Sequence, residues 1–416
     1  MKVCFLLHQG SMYSGGQGVY LSNVTRELAA LGNEVHVIAG PPYPDVAAEV
    51  QVHKVRNYSV YRLLETGRFF FFGRDPRSFF HLLNFYELAT SRAGLFSVMA
   101  AFSFRAYKTL CDLSDQHRFD MVHDVQGLGY GDLLIKGNGL PIVANIHHPL
   151  QLDRANAVRQ AQTTPDKIKW LRFYPFFMQE IVARQMDRII TGSKHSARAI
   201  SEVFKLPLER IAAIYDGVDS ETFRPLEMRK ERGSILYVGN SDDRNKGARY
   251  LVEALALLKD RQDLHLTVVD RPIAWLVPSL ARELGVGDRV TVTGRVSKEE
   301  LVRLYNQAEV FVSPSLYEGF GLPAAEAMAC GAPIVATTAG AFPEVIEDGV
   351  SGLLVPPGDT RALADAIERV LGDGLLQRRL GREGRQRIVE QFSWRETAVQ
   401  TLALYQQVRS ERARGG

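Results

Sequence analysis

Residues 309–330 read Glu309-Val310-Phe311-Val312-Ser313-Pro314-Ser315-Leu316-Tyr317-Glu318-Gly319-Phe320-Gly321-Leu322-Pro323-Ala324-Ala325-Glu326-Ala327-Met328-Ala329-Cys330. The apolar run 309–313 has the length and β-branched character of a buried strand. A glycine-containing turn follows, and Ala324–Cys330, entered through Pro323, reads as a helix. Strand, glycine turn and helix in that order are one unit of an α/β fold whose strands run parallel.

The same rhythm extends in both directions. Strands are expected at Ser234–Val238, Leu264–Val269, Arg289–Thr293, Glu309–Ser313 and Pro333–Thr337, with helical patterns between them. Ser297 with Glu300 forms a capping box, and Thr360 is expected to cap another helix. In the first half, Lys2–Leu7 reads as a strand running into Gly15-Gly16-Gln17-Gly18. A helix with Val24, Leu28 and Leu31 on one face comes next, stopped by Gly32 and Asn33. Further strands are expected at Glu34–Ala39, Phe119–His123, Pro141–Ile146 and Arg188–Thr191. Tyr215–Arg232 lacks apolar periodicity and reads as a linker, and Ser393–Val408 is amphipathic. The expected organisation is a Rossmann-like domain 1–214, a linker 215–232, a second Rossmann-like domain 233–392, and a C-terminal helix 393–416.

Composition bounds the function. The 416 residues carry a formal net charge of +3, too mild to point to a nucleic-acid partner. Cys4, Cys111 and Cys330 are odd in number and fit no zinc or haem spacing. The apolar stretch Ala93–Phe104 is well short of the ~20 residues of a membrane span. The expectation is a cytoplasmic protein, or a peripheral one on the cytoplasmic membrane face. Residues 54–118 hold ten Lys/Arg against five Asp/Glu, with Phe69–Phe72, Phe79, Phe80, Phe85, Tyr86, Phe96, Phe102, Phe104 and Tyr107. This insert either lies on an anionic membrane and receives an amphipathic acceptor, or fills the first domain's own core.

Several residues at strand tips carry chemistry. The glycines at 319 and 321 let backbone approach a ligand at the carboxyl end of a strand. The helix start behind them offers amides to a diphosphate. Glu318 would stand outside the strand tip, beside a sugar, and Glu326 one turn into the helix, where a carboxylate can accept from two ribose hydroxyls. Gly16 and its neighbours open the first helix in the same way. They are not a dinucleotide fingerprint, because position 21 is Leu21 and no acid closes the second strand. His147 and His148 follow the strand Pro141–Ile146, His123 and Asp124 also stand at a strand end, and Ser193 is expected to cap a helix. There is no Asp-x-Asp with which to hold a divalent ion against a diphosphate.

These segments resemble a family 4 retaining glycosyltransferase of the GT-B fold. The matching stretches are Glu318 to Gly331, Gly340 to Glu344, Gly352 to Pro356, Asp216-Gly217-Val218-Asp219 to Pro225, and Phe392-Ser393-Trp394. The resemblance implies two doubly wound domains facing across a cleft and a nucleotide-diphosphate-sugar donor. It places the donor-sugar contact on Glu318, the ribose contact on Glu326 and a sugar-binding histidine at His147. Backbone at Gly294, Arg295 and Val296 would meet the base. Backbone around Gly321 and Leu322 would meet the phosphates, and Gly319 and Phe320 belong to the same donor-binding turn. The family's diphosphate grip is an arginine and a lysine, and here Lys246 fits while Asn240 stands where the arginine belongs. The loop Gly239–Gly247 is one residue longer, so Arg244 is the candidate replacement cation.

The implied reaction transfers a sugar with retention, without a metal or other cofactor, to a glycan, lipid-linked or small-molecule acceptor. No second carboxylate is placed for double displacement, so the resemblance implies same-face attack with the leaving phosphate taking the proton. A nucleotide-sugar epimerase on the same plan and a non-catalytic nucleotide-sugar binder are the alternatives, the latter favoured only by Asn240.

Overall fold

The computed structural model describes all residues except 13–15, 57–81, 93–94, 96, 162, 174–176 and 416. The chain divides into two compact units. The first comprises Met1–Thr191, Ala197–Ile214 and Ala398–Gly416, and the second comprises Gly192–Ser196 and Tyr215–Thr397.

The first unit is built on a seven-stranded sheet in the order β3-β2-β1-β4-β5-β6-β7. The strands are β1 (Lys2–Leu7), β2 (Glu34–Ala39), β3 (Gln51–Lys54), β4 (Met121–Val125), β5 (Ile142–Asn145), β6 (Arg188–Thr191) and β7 (Ile211–Ala213). The second carries β8 (Glu231–Val238), β9 (His265–Val269), β10 (Val290–Gly294), β11 (Ala308–Ser313), β12 (Ile334–Thr337) and β13 (Leu353–Val355), ordered β10-β9-β8-β11-β12-β13. Every pairing in both sheets is parallel. Parallel strands are covered on both faces and so read as unbroken apolar runs. Val3–Leu7 of β1 is accordingly fully buried. The strands that the sequence did not disclose, β3, β7 and β13, lie at sheet edges and hold only three or four residues. With one flank open, they need no long apolar run.

In both sheets the strand order reverses beside the first strand, between β1 and β4 and between β8 and β11. The crevice outside the carboxyl ends of the strands at such a reversal is where open α/β sheets take their ligands.

Three local expectations are corrected. β4 runs on to Val125, so His123 lies inside a strand rather than at its end. It is fully buried, and its Nδ1 meets the Tyr405 hydroxyl at 2.5 Å. The helix Thr360–Gly372 is capped by Asp359, whose carboxylate accepts from the Ala362 amide, and Thr360 is its first residue. Leu31 closes the helix Gln17–Ala30 rather than continuing its buried face. Of the capping box, the Ser297 half forms, its hydroxyl accepting from the Glu300 amide at 3.2 Å, while the Glu300 carboxylate pairs with Arg303 instead of reaching back.

Phe69–Phe72, Phe79, Phe80 and Phe96 of the basic insert lie outside the described residues. Its remaining aromatics divide: Phe102 is in the first unit's core, while Phe85, Tyr86 and Phe104 are exposed. Arg105 is paired with the fully buried Glu87 at 2.7 Å, which takes one cation out of the insert's surface charge.

At the amino ends of β1 and β2, Lys2, Glu34, His36 and His117 form one polar group. The Lys2 ammonium stands 3.0 Å from Glu34 Oε1 and 3.2 Å from His117 Nδ1, and His36 Nε2 is 3.0 Å from the same carboxylate. The lysine ammonium thus stands opposite the Glu34 carboxylate in this cluster. Among the described residues, no helix is long and apolar enough to cross a membrane.

Candidate active site

In the second unit the loop after β8 and the loop after β11 meet at the strand-order reversal. Leu316 N–H donates to the Asn245 carbonyl at 2.7 Å. Gly247 has φ 66, and a Cβ there would collide with the Pro314 carbonyl, so the two loops approach as closely as they do only because this residue is glycine. Gly340, at φ 58 after β12, presses on the Glu318 backbone in the same way, and the next amide, Ala341 N–H, donates to the Glu318 carbonyl at 3.0 Å. The segment Pro314–Glu318 is therefore held from both sides.

Its carboxylate is met by Lys246, whose Nζ donates to Oε1 at 3.0 Å and Oε2 at 2.9 Å, with the Ser315 hydroxyl on Oε2 at 3.3 Å. Glu318 is largely enclosed and Lys246 about one-third exposed, with side-chain exposures of 13% and 34%. The structure thus brings together the two charged groups that the sequence singled out from segments 72 residues apart.

Behind them, Gly321 precedes the helix Leu322–Ala329, which has Pro in its first turn and no side-chain cap. Its first amides are thereby left for an anion. Phe320 turns its ring inward against Phe392, centroids 5.6 Å apart, so only its backbone is presented at the turn. Glu326 accepts from the Tyr305 hydroxyl at 3.0 Å. Burial, opposed by that hydrogen bond, pushes its carboxyl up to about 7.

Gly294 ends β10 with φ 72, Arg295 beyond it is exposed, and Val296 packs partly on the core. Asn240 is exposed, and Arg244 is exposed at the start of the turn Arg244–Lys246. Asp243 caps that turn through the Asn245 amide at 3.0 Å. Asp242 ties the loop to the segment after β9: one oxygen accepts from the amides of Trp275 (3.2 Å) and Leu276 (3.0 Å), and the other meets Arg271. The two acids beside Arg244 thus have structural tasks of their own. Sequence reasoning missed this brace, for which the only signal is the extra residue in the loop.

Ser193 caps a helix as expected, its hydroxyl accepting from the Ser196 amide at 3.1 Å. Glu344 adds a carboxylate to the same helix start, accepting from the amides of Lys194 (2.9 Å) and His195 (2.7 Å) and from the Tyr215 hydroxyl (2.8 Å). A carboxylate at a helix N-terminus is favoured by the exposed amides and by the dipole.

In the first unit, Gly16 adopts φ 69 at the start of the helix Gln17–Ala30, while Gly15 lies outside the described residues. His147 follows β5 and packs edge-on against Tyr20, centroids 5.3 Å apart. Its Nε2 is buried without a partner among the described residues. Burial, and secondarily the neighbouring His148, lowers its pKa to about 3, so the imidazole is neutral at physiological pH. His148 is distinguished from it by a contact of its Nε2 with Asp153 Oδ2 at 2.7 Å. Sequence reasoning also missed Gln126, whose amide oxygen accepts from the His147 N–H at 2.6 Å.

The family model "Glycosyltransferase Family 4" matches residues 14–222, and "Glycosyl transferases group 1" matches residues 218–387. The chain is 39% identical to the MMP alpha-(1->4)-mannosyltransferase of Mycolicibacterium hassiacum, over 98% of each chain. It is 28% identical to the D-inositol 3-phosphate glycosyltransferase of Xylanimonas cellulosilytica, over 97% of this chain and 94% of that one. Among solved structures, the sucrose-phosphate synthase of Thermosynechococcus elongatus superposes with a TM-score of 0.76 at 24% identity, covering 99% of this chain and all of that one. Anabaena HepE in complex with UDP-glucose superposes with a TM-score of 0.69 at 17% identity, covering 98% and 100%. Both carry the same fold, with two parallel sheets wrapped by helices. The chain belongs to glycosyltransferase family 4 and is a glycosyltransferase of the GT-B fold.

Proposed function

We propose that the protein is a retaining α-mannosyltransferase that moves a mannosyl group from a nucleoside-diphosphate α-mannose to a hydroxyl of a sugar acceptor. The observation that carries the reading is the Lys246–Glu318 pair at the strand-order reversal of the second sheet, backed by uncapped helix amides. The mannosyl class rests on the relative at 39% identity over nearly the whole chain. An α donor giving an α product is retention.

In this reading Glu318 accepts from hydroxyls of the donor sugar, and Lys246 exchanges that carboxylate for the diphosphate. The amides at Gly319 through Leu322 add partial positive charge where the leaving group gains negative charge. Glu326 in its ionised form takes the ribose, and the backbone of Gly294–Val296 takes the base. His147 offers a neutral imidazole to a sugar hydroxyl. Asn240 contributes an amide, and Arg244 the second cation. Attack occurs on the face the diphosphate leaves, and the departing phosphate oxygen receives the acceptor's proton. The chain's own residues then act by positioning and electrostatics, without a metal.

The test is thermal stabilisation by a panel of nucleotide sugars, followed by transfer assays with those that bind. A ligand of the folded state raises stability by RT ln(1 + [L]/Kd). GDP-mannose should raise Tm and be turned over faster in the presence of a mannoside acceptor than without it. Stabilisation by UDP-glucose alone would overturn the mannosyl assignment. Consumption of donor that is indifferent to acceptor would overturn transfer.

A further inference from the structure

We infer that Gln126 is a positioning residue that acts through His147: a clamp of two buried glutamines, Gln126 and Gln179, sets where the imidazole stands. The inference rests on the reading of His147 as a sugar-facing group.

Gln126 follows β4 with φ 63, a left-handed conformation that a residue with a side chain rarely adopts. Non-glycine residues hold such a conformation when their surroundings over-determine it, and here they do. The side chain is 1% exposed, and both ends of its amide are engaged. Oε1 accepts from the His147 N–H at 2.6 Å, and Nε2 donates to the His148 carbonyl at 2.8 Å. One planar group thereby grips the His147-His148 dipeptide at both of its ends. The Gln126 backbone N–H donates to the Asn145 carbonyl at 2.8 Å, tying the same residue to the last position of β5.

Gln179, also 1% exposed, extends the clamp. Its Nε2 donates to the Gln126 carbonyl at 3.4 Å, and its Oε1 accepts from the Leu150 amide at 3.1 Å, the first amide of the helix Leu150–Gln160. The loop is held at His147 N–H, His148 C=O and Leu150 N–H, all by primary-amide side chains. The His147 ring itself meets Tyr20 edge-on while its Nε2 has no partner among the described residues. The direction of that nitrogen is therefore set largely through the backbone that the glutamines grip.

An amide is required because it presents one acceptor and one donor on a rigid plane. Glutamate is isosteric, but when ionised it keeps the acceptor and turns a carboxylate oxygen toward the His148 carbonyl. When protonated it regains the donor.

The experiment compares Gln126→Glu, His147→Ala and the double variant. For each, kcat and KM are measured with GDP-mannose across pH 5.5–8.5, together with Tm and the Tm shift given by GDP. The expected result is that Gln126→Glu loses about 100-fold in kcat at alkaline pH, the scale of a misplacement near 1 Å. It should recover as pH falls and keep the GDP-induced shift. The double variant should be no slower than His147→Ala alone, because residues acting as a unit are not additive. A parent-like Gln126→Glu beside an impaired His147→Ala overturns the clamp and leaves the His147 reading standing. Multiplied losses in the double variant also overturn it, because Gln126 then does not act through His147. A parent-like His147→Ala overturns the underlying reading and the clamp with it. If Gln126→Glu does not fold, Gln179→Glu, which disturbs only the outer hydrogen bonds, is read by the same criteria with an expected loss of about tenfold.

Discussion

Removing Lys246 or Glu318 should abolish most turnover, and the two losses should not multiply. The ammonium stands 2.9 and 3.0 Å from the two carboxylate oxygens. At an effective dielectric of about 20, charges that close attract by roughly 5 kcal/mol before desolvation and screening are counted. With Lys246 one-third exposed, the net value of the pair falls to about 1 kcal/mol. The catalytic contribution is larger. A preorganised group aimed at developing charge in an enclosed site is worth about 10²–10³ in rate, or ~3–4 kcal/mol. Lys246→Ala and Glu318→Ala should each lose that much in kcat. Their double variant should lose far less than the product, since each residue is the other's resting partner. The sign of nucleotide binding separates the two residues. Lys246→Ala should weaken GDP binding, whereas Glu318→Ala removes a carboxylate that competes with the diphosphate for the ammonium and should tighten it severalfold. The assay is steady-state transfer from GDP-mannose, with calorimetric titration of GDP and a thermal scan to confirm folding. A folded Glu318→Ala protein that turns over within threefold of the parent would refute the reasoning, as would a folded Lys246→Ala protein with unchanged GDP affinity.

Arg244→Ala should lose turnover by about a hundredfold, with partial recovery in Arg244→Lys, because charge survives while the planar fork is lost. Parent-like turnover would leave the diphosphate to Lys246, Asn240 and backbone amides. Transfer should persist in EDTA, and loss of activity restored by magnesium or manganese would refute the metal-free mechanism. Glu326 titrates near 7 in the folded protein against 4.5 for an ordinary carboxyl. Its raised value means that the folded state holds the extra proton, so this group's contribution to stability is full below about 4.5 and lost as pH rises through 7. Because the ribose needs the carboxylate, nucleotide affinity should fall about fivefold from pH 7 to pH 6. Glu326→Gln should flatten both profiles, and an unchanged profile in that variant would refute the assignment.

The central part of both sheets was legible because strands covered on both faces must be apolar throughout. Lys2–Leu7 and Arg188–Thr191 occur as read, and β8, β9 and β11 shift only by one to three residues at their ends. The edge strands were illegible for the complementary reason: Gln51–Lys54 is half exposed and carries His53 and Lys54. Lys246 and Glu318 were each legible as site residues, but their contact was not, because it arises from loops that follow strands adjacent only in the folded sheet, β8 and β11. The Gln126–His147 contact was not legible, because a side-chain amide that grips backbone 21 residues away leaves no trace in periodicity or spacing. His123 shows the opposite failure. It read as a strand-tip residue, but two further residues, Asp124 and Val125, continue the strand and bury it.

The most direct test of the account is the anomeric configuration of the product. Incubating the protein with GDP-α-mannose and a mannoside acceptor, and reading the new linkage by the one-bond carbon–hydrogen coupling at the transferred anomeric centre, decides both transfer and stereochemistry. The account predicts a single new α-mannosyl linkage, formed equally well in EDTA. A β linkage, or donor cleavage with no new glycosidic bond, would contradict it.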